Sequence, residues 1–457
     1  MSWSPTLDDG QPAYLALADA IARDVRRGKL AAGERLPTQR ALAGRLGITP
    51  GTVARAYLEA ERRGLTRAHV GRGAFVRGDG VDAAQADGWL ERGLAPESVV
   101  DLSLNHPPTG PESGVDTALA EVLSEIASGG GLDALLRLQP ARGTARHREI
   151  GARWLSERAP DTDPERLVVC SGGQHALAVA LGALCRRGDV LLTETLTYPG
   201  VLTLAQQLGL QVRAVAQDEY GLRPDALREA CARYRPQALY CIPTLQNPTT
   251  AVMPAARRDE VAQVLREADV PLVEDDVYGP LFGPEVEPIS TRLPELGHLV
   301  VNAGKSLAPG LRVGFLHAPR ARLPELERLV RDNGWSVAPL MVELVSRWID
   351  DGTAARVTER RRTEAASRIE LARRTLGDWS LAAHPRGFHL WLALPDPWNA
   401  RDFVAAAAER GVRLAPTEAF VAGGPVPRRV RLCLGREPSM ESLRGGLERL
   451  AGLLSGQ

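Results

Sequence analysis

Lysine is nearly absent from this chain: of the 56 lysine and arginine residues among its 457, only Lys29 and Lys305 are lysines. A chain that uses arginine almost everywhere for positive charge keeps lysine where arginine cannot replace it. Schiff-base chemistry is such a place, because an ε-amine can lose its proton and attack a carbonyl group whereas a guanidinium stays protonated. The alternative is a surface lysine that escaped an arginine-rich coding bias, which is our interpretation of Lys29.

Cysteine and long apolar runs are also scarce. The five cysteines show no zinc-ligand or redox spacing and are Cys170, Cys185, Cys231, Cys241 and Cys433. They indicate reduced core residues and no metal site. No apolar run reaches the length of a membrane span, and the N-terminal MSWSPTLDDG does not resemble a signal peptide. We therefore expect a soluble, cytoplasmic protein that does not bind membranes.

The net charge is zero, which argues against a uniformly basic nucleic-acid-binding surface. The charge is nevertheless unevenly distributed, because the segment from Gln11 to Arg77 contains 13 Lys or Arg and only 5 Asp or Glu. A local positive excess of this size suits contacts with phosphate groups.

The same segment has the helix pattern of a DNA-binding motif. Apolar residues at helical spacing predict a first helix near 15–25, and a second is predicted at 39–46, ended by Gly47. Thr49 and Pro50 are typical of the start of a third helix. The following LTRAHVGRGAFV predicts two short strands around an arginine tip, which is a wing. The alternative is a small helical bundle with a solvated basic face, but the helix order, the turn and the wing together favour DNA binding.

The run GERLPTQRALAGRLGITPGTVARAYLEAERRGL, followed by VGRGAFV, resembles the winged helix of GntR-type bacterial regulators. In that family the matching positions contact operator DNA. The resemblance therefore implies these DNA-binding residues: Arg35, Thr38, Arg40, Thr49, Thr52, Arg55, Arg72 and Gly73. Within this set, Arg35 and Arg40 suit phosphate contacts, and Thr52 and Arg55 suit base contacts.

The remaining sequence predicts a linker and a second domain. Residues 78–98 are rich in Gly, Ala and Asp without clear periodicity, which indicates a connector between a domain at 1–77 and another at 99–457. In the second domain, apolar runs such as RLVVC and VLLTE alternate with helical patterns. This alternation predicts an α/β fold with a mostly parallel sheet between helices, whose functional residues follow the strands.

Several loops after these strands carry residues that can bind a phosphorylated ring. The loop Ser171-Gly172-Gly173-Gln174 could hold a phosphate, Tyr198 could stack on a ring, and an Asn-Pro turn follows at Asn247. Asp275 ends the apolar run VPLVED, Tyr278 follows it, and Lys305 precedes Arg312 by seven residues. Each motif alone has an ordinary structural explanation, but this order is rare by chance.

The order resembles the fold-type I aminotransferases, which use pyridoxal 5′-phosphate (PLP). The resemblance implies that Lys305 forms the internal aldimine, that Asp275 partners the pyridinium nitrogen, and that Asn247 and Tyr278 bind the ring hydroxyl. It implies that Tyr198 stacks on the ring. The implied phosphate ligands are Ser171, Gly172, Gly173 and Arg312. Arg431, in VRLCL, matches the arginine that binds a substrate carboxylate, although it could be a surface residue in an arginine-rich stretch.

Three positions depart from the aminotransferase pattern. Asn302 and Gly304 stand before the lysine where the family usually has serines, one of which helps to hold the phosphate. Leu138 stands where relatives commonly have a tyrosine that reaches the partner subunit's phosphate. The loss of that hydroxyl argues against efficient transamination more than against cofactor binding.

Together the two modules resemble the MocR subgroup of GntR-type regulators, in which a winged helix is fused to an aminotransferase-like domain. The resemblance implies a transcriptional regulator that binds operator DNA, holds PLP at Lys305 and responds to an amino-group effector or to PLP itself. It also implies a head-to-tail homodimer. The alternatives are an active aminotransferase with a vestigial DNA-binding module, and a DNA-binding regulator whose large domain has lost the cofactor.

Overall fold

The computed structural model describes residues 3–7, 10, 12–26, 29–30, 34–62, 65–69, 73–76, 98–109 and 114–456. These residues form two compact units, one N-terminal and one containing most of the chain. Arg72 lies outside the described residues, as does the expected linker except for Ser98.

The N-terminal unit is a winged helix. Its elements are α1 (Ala13–Arg26), α2 (Gln39–Leu46), α3 (Pro50–Arg62), β1 (Thr66–His69) and β2 (Gly73–Val76). Gly47 ends α2 in the left-handed conformation, at φ 67°. The Thr49 hydroxyl caps α3 by accepting a hydrogen bond from the Thr52 amide at 3.1 Å. The apolar faces of the three helices pack into one small core, so the predicted helix order, turn and wing are confirmed.

The large unit is built from alternating strands and helices. Its helices are α4 (Val115–Ser128), α5 (Leu132–Leu135), α6 (Ala145–Ser156), α7 (Gly173–Leu184), α8 (Pro199–Leu208), α9 (Pro224–Tyr234), α10 (Ala255–Ala268), α11 (Gly279–Phe282), α12 (Leu323–Gly334), α13 (Pro339–Asp350), α14 (Thr353–Leu376), α15 (Ala400–Glu409) and α16 (Met440–Leu454). Its strands are β3 (Val100–Asp101), β4 (Leu167–Cys170), β5 (Val190–Glu194), β6 (Gln211–Val215), β7 (Gln217–Asp218), β8 (Gly221–Leu222), β9 (Ala238–Cys241), β10 (Leu272–Asp275), β11 (Gly297–Asn302), β12 (Gly314–His317), β13 (Leu381–Ala383), β14 (His389–Ala393), β15 (Val412–Arg413) and β16 (Arg429–Cys433).

Seven strands form the central sheet in the order β4-β12-β11-β10-β9-β5-β6. Among these seven, only β12 is antiparallel to its neighbours, so the prediction of a mostly parallel sheet is confirmed. Strand β16 lies in a separate antiparallel sheet with β13 and β14. Apolar residues of α7 and α12 pack on one face of the central sheet, and those of α6 and α13 pack on the other.

This topology brings distant parts of the sequence together. Strands β4, β9, β10 and β11 run in the directions that place their carboxyl ends at one edge of the sheet. At this edge Asp275 ends β10, Gly173 begins the helix after β4, and Asn247 and Lys305 lie in the loops after β9 and β11. A shared edge of this kind is where open α/β sheets bind their ligands.

The five cysteines are free thiols and all are buried, in agreement with their prediction as core residues. Among the described residues, no helix combines the length and apolar character needed to cross a membrane.

Candidate cofactor and DNA-binding sites

A cavity of about 170 Å³ opens at the carboxyl edge of the central sheet. Eight of the ten residues expected to bind cofactor or effector line it: Gly173, Tyr198, Asn247, Asp275, Tyr278, Lys305, Arg312 and Arg431. The other two, Ser171 and Gly172, lie beside it against the Arg312 guanidinium. The structure therefore brings the whole predicted set to one place.

Lys305 lies in this cavity as an amine of lowered basicity. Its Nζ donates a hydrogen bond to the Asn105 carbonyl oxygen. Burial, together with the charges of Arg431 and Arg312, lowers the pKa of Lys305 from 10.5 to about 8. At pH 7.5 roughly a quarter of such a lysine is the free amine, against about one in a thousand for an unperturbed one. The fraction able to attack a carbonyl group therefore rises steeply.

Asp275 is a buried carboxylate with both oxygens hydrogen-bonded. The Tyr240 hydroxyl donates to its Oδ2 at 2.7 Å, and the Val277 amide donates to its Oδ1 at 3.3 Å. Burial raises the pKa of Asp275 to about 6, and the two donors and Lys305 oppose this rise. At neutral pH Asp275 is therefore mostly ionised, as a partner of a protonated ring nitrogen must be.

The neighbouring Asp276 is also buried and has a structural partner. Arg158 donates to it through Nε at 2.9 Å and Nη2 at 3.1 Å. A bidentate pair of this kind fixes the backbone that follows β10. Asp275 and Asp276 therefore do not form an exposed acidic pair, because they are only 3% and 1% exposed.

Tyr278 is oriented by two residues that the sequence did not single out. Asn105 Nδ2 donates to the Tyr278 hydroxyl at 2.9 Å and lies 3.0 Å from His389 Nδ1. His389 Nε2 lies 3.0 Å from the Gln246 carbonyl oxygen, and burial lowers the pKa of His389 to about 3. The neutral ring therefore donates from Nε2 and accepts at Nδ1. Because the Tyr278 hydroxyl accepts from Asn105, its own proton can be donated into the cavity.

Arg431 points inward from β16 and is 3% exposed, so it is not the surface residue of the alternative interpretation. Its Nη1 donates to Asn247 Oδ1 at 2.8 Å, and its Nη2 donates to the Ser103 carbonyl oxygen. Its guanidinium lies 4.6 Å from the centre of the Phe420 ring. These contacts hold a permanent cation at the cavity wall and leave the Asn247 amide nitrogen as the group available to an acceptor.

The end of the cavity that lies at the start of α7 is closely packed. A Cβ on Gly173 would lie 2.6 Å from Asn302 Nδ2, and one on Gly172 would lie 3.1 Å from the Arg312 guanidinium. The Asn302 side chain is held by the Gly304 amide, which donates to its Oδ1 at 2.7 Å. Asn302 thus presents an amide donor beside the helix N-terminus, at the position where the family has a serine.

Tyr198 is the last residue before α8, and its ring folds back over the first turn of that helix. A Cβ on Gly200 would lie 2.4 Å from the ring, so a side chain at position 200 would displace it. The ring lines the cavity, where it can stack on a planar ligand.

In the winged helix, the described candidates are exposed except for the half-buried Thr52. The Arg35 guanidinium packs on the wing residue Gly73, which has φ 100°, and position 35 forms a bridge with Phe75. Arg55 lies on α3 with its guanidinium 4.3 Å from the centre of the Tyr14 ring. Arg40 is exposed on the first turn of α2. These side chains belong to the helices and wing that meet DNA in proteins of this fold.

Two of the threonines also have structural roles. Thr38 Oγ1 accepts from the Ala41 amide at 3.3 Å and caps α2. The Thr49 and Thr52 hydroxyls lie 2.9 Å apart, so one of them donates to the other. To form a hydrogen bond with DNA, these hydroxyls would have to give up part of their hydrogen bonding at the helix ends.

Comparison with known proteins assigns the two parts of the chain to two families. Residues 97–450 match the family model described as aminotransferase class I and II, and residues 13–76 match bacterial regulatory proteins of the gntR family. A Bacillus subtilis (strain 168) protein, described as the uncharacterized HTH-type transcriptional regulator YdeF, is 28% identical over 99% of this chain and 97% of its own length. A 2-aminoadipate transaminase of Thermus thermophilus is 29% identical, over 76% of this chain and 88% of its own.

Among solved structures, the α-aminoadipate aminotransferase LysN from Thermus thermophilus, complexed with N-(5′-phosphopyridoxyl)-L-leucine, has a TM-score of 0.69 at 26% identity. The alignment covers 81% of this chain and 97% of that structure.

A gntR-type winged helix fused to an aminotransferase-fold domain defines the MocR architecture. The chain belongs to the class I and II aminotransferase family and carries a gntR-family domain at its N-terminal side. It is thus a transcriptional regulator with an aminotransferase-like domain of the PLP-dependent class.

Proposed function

We propose that this regulator binds operator DNA through its winged helix, holds PLP covalently at Lys305, and responds to an amino-group effector that carries a carboxylate. The observation that carries this proposal is one cavity in which Lys305, Asp275 and Arg431 meet, in a chain that also has an exposed basic winged helix. PLP itself as the signal is the second possibility.

The donor set of the cavity fits PLP. A Cβ at position 173 would lie 2.6 Å from Asn302 Nδ2, so glycine there lets Asn302 lie close to the start of α7, where backbone amides suit a phosphate. When bound, PLP supplies an aldehyde that reacts with amino groups and an electron-withdrawing ring. Lys305 is the attachment point, Asp275 keeps a ring nitrogen protonated, and Tyr278 donates to a ring oxygen.

An effector would compete with the Lys305 amine for the same carbonyl group and release the lysine. Arg431 would bind its carboxylate, so that both ends of the effector are held at once. An effector can shift the protein between two conformations only by the difference in its affinity for them. Binding at two points would provide such a difference, because it favours the conformation in which Arg431 and the carbonyl group at Lys305 have the right spacing. The readout would be altered binding of two winged helices to two half-sites.

A spectral titration of the PLP-loaded protein with a panel of amino compounds, combined with operator protection, tests the proposal. A spectral change with one compound that also alters protection supports it. Steady turnover of an amino acid with a keto acid, without operator protection, would instead establish the alternative of an active aminotransferase with a vestigial DNA-binding module. A panel without any response would favour sensing of PLP itself.

DNA binding can be tested with two arginines of α2. Replacing Arg40 with glutamine is expected to weaken binding to all DNA sequences and to reduce the slope of log K against log salt by about 0.9 for each phosphate that the protein no longer neutralises. The control is Arg45→Gln, because Arg45 donates to the backbone carbonyls of Ala41 and Trp3. Equal salt slopes for wild type and Arg40→Gln would contradict the phosphate role.

A dimer is expected from the fold, and an apolar surface of the large unit supports it. Leu136 and Leu138 are 89% and 75% exposed, and Trp335 is 64% exposed. The chain segments that directly follow Leu138 and Trp335 lie together, since 139–140 and 336–337 line one small cavity. The head-to-tail arrangement is part of the proposal.

Replacing Leu138 with glutamate is expected to raise the dimer dissociation constant by about 100-fold or more, because each interface would bury unpaired carboxylates. Sedimentation velocity at several concentrations measures this change. Tyr220→Glu on the β7–β8 hairpin is the control, since Tyr220 is also 50% exposed. A dimer that survives the Leu138 change would place the interface elsewhere.

Tyr240→Phe tests the support of Asp275. Removing the hydroxyl donor takes away a hydrogen bond to a buried carboxylate, so the pKa of Asp275 rises further. A more basic carboxylate also holds the proton of a neighbouring ring nitrogen more strongly. On titration with base, the pH at which the loaded protein loses the spectral form with a protonated ring nitrogen should therefore rise by about one unit. Tyr234→Phe serves as the control, and an unchanged midpoint in Tyr240→Phe would show that this hydrogen bond does not support the carboxylate.

A further inference from the structure

Helix α14 is bonded to the backbone on both sides of the cofactor cavity. Arg361 Nη2 donates to the carbonyl oxygen of Leu307, two residues after Lys305, at 3.2 Å. Arg368 Nη1 donates to the carbonyl oxygen of Leu434, three residues after Arg431, at 2.7 Å. The same helix therefore contacts the loop that carries the lysine and the strand end that carries the arginine.

One carboxylate joins these two arginines. Glu364 Oε2 accepts from Arg361 Nη1 at 3.1 Å, and Glu364 Oε1 accepts from Arg368 Nη2 at 3.2 Å. The arginine side chains are 1% and 3% exposed, and that of Glu364 is 26% exposed. Burial lowers the pKa of Arg361, and Glu364 opposes this. Two buried guanidinium groups this close need a shared counter-ion, and Glu364 supplies it.

The Arg368 end of the helix is also linked to Arg431 through a series of hydrogen bonds between side chains and backbone groups. Arg368 donates to the Glu437 carbonyl oxygen at 2.9 Å, and the Glu437 carboxylate accepts from the Asp101 amide at 2.6 Å. Asp101 Oδ1 in turn accepts from the Ser103 amide at 3.0 Å. The Ser103 carbonyl oxygen accepts from Arg431 Nη2. The orientation of Arg431 thus depends on a chain of bonds that begins at α14.

We infer that Glu364 is a positioning residue that fixes the spacing between Lys305 and Arg431, although it touches neither residue. The inference rests on the proposed function, in which one effector engages the lysine-bound carbonyl group and the arginine at once. If Glu364 no longer holds Arg361 and Arg368 together, the two loops lose a common support. The free energy of binding gained from the contact between the effector's carboxylate and Arg431 then falls, whereas the affinity for the cofactor part of the ligand is unchanged.

Two conjugates that differ only in the carboxylate isolate this effect. The probes are N-(5′-phosphopyridoxyl)-L-leucine and N-(5′-phosphopyridoxyl)-3-methylbutylamine, bound to the full-length protein freed of cofactor. The ratio of their dissociation constants measures the carboxylate contribution alone. We expect a ratio of about 30 in the wild type, as for a hydrogen-bonded charge pair, and of about 3 in Glu364→Gln. Binding of the 3-methylbutylamine conjugate should stay within about twofold.

Glu370→Gln is the matched control, because Glu370 is a glutamate of the same helix in an exposed pair with Arg374. It should keep the wild-type ratio. Glu364→Asp retains the charge but is too short to reach both arginines, so its ratio should be intermediate. This second variant decides the matter if Glu364→Gln binds neither conjugate because it fails to fold.

The possible failures are distinguishable. A ratio near one in the wild type overturns the carboxylate role of Arg431 and the inference with it. A wild-type ratio that Glu364→Gln and Glu364→Asp both retain overturns the inference alone, as does equal weakening of both conjugates, which indicates a general loosening of the unit.

Discussion

Replacing Lys305 with alanine is expected to abolish covalent attachment of PLP and the visible absorption that accompanies it. Lys305 is the one lysine in the cavity, and no guanidinium can take its place because arginine does not lose its proton. Phosphate and ring contacts remain, so we expect PLP to bind non-covalently with an affinity lower by at least about 100-fold. Absorption spectroscopy and equilibrium dialysis measure the two effects.

The scarcity of lysine gives this experiment a complete control. Lys29→Ala removes the only other lysine in the chain and should change neither spectrum nor affinity. Reduction with borohydride followed by peptide mapping should find the pyridoxyl group on the Lys305 peptide of the wild type and nowhere in Lys305→Ala. Unmodified wild-type protein after reduction would instead support a regulator whose large domain has lost the cofactor.

Replacing Arg431 with glutamine is expected to remove the preference for effectors that carry a carboxylate. Truncating one member of a buried, hydrogen-bonded charge pair costs about 2 kcal/mol or more, so affinity for an amino acid conjugate should fall by about 30-fold, to that of the conjugate without the carboxylate. An amine conjugate without the carboxylate should bind nearly as before. Titration with N-(5′-phosphopyridoxyl)-L-leucine and its 3-methylbutylamine counterpart measures the difference.

Arg429→Gln is the matched control for Arg431→Gln. Arg429 is on the same strand, two residues away, and is half-buried. It does not line the cofactor cavity, so its loss should leave both conjugates unaffected. Parallel losses in the two variants would mean that the strand, rather than the guanidinium of Arg431, determines recognition.

Local sequence patterns predicted the elements that depend on neighbouring residues. Gly47 and Thr49 mark the end of α2 and the start of α3 because their backbone and side-chain preferences act within a few residues. Asp275 was placed correctly at the end of a buried strand because the apolar run before it is short and continuous. The winged helix and the α/β class follow from patterns of this kind.

The supports of the site could not be predicted in this way. Tyr240 lies 35 residues from Asp275 in sequence, and Asn105 lies 173 residues from Tyr278 and 284 from His389. No spacing rule links residues so far apart, and each has an ordinary role in a strand or loop. The parallel sheet brings Tyr240 beside Asp275 because β9 pairs with β10.

The sequence by itself determined the two modules and the alternation of strands and helices in the large one, and it singled out Lys305 as the candidate for the reactive lysine, since each follows from local pattern or residue chemistry. Only the tertiary structure decided which groups surround that lysine and Arg431, and how Glu364 joins the segments that carry them. Hydrogen bonds and burial depend on distances in space, and these arise only after strands far apart in sequence meet at one edge of the sheet.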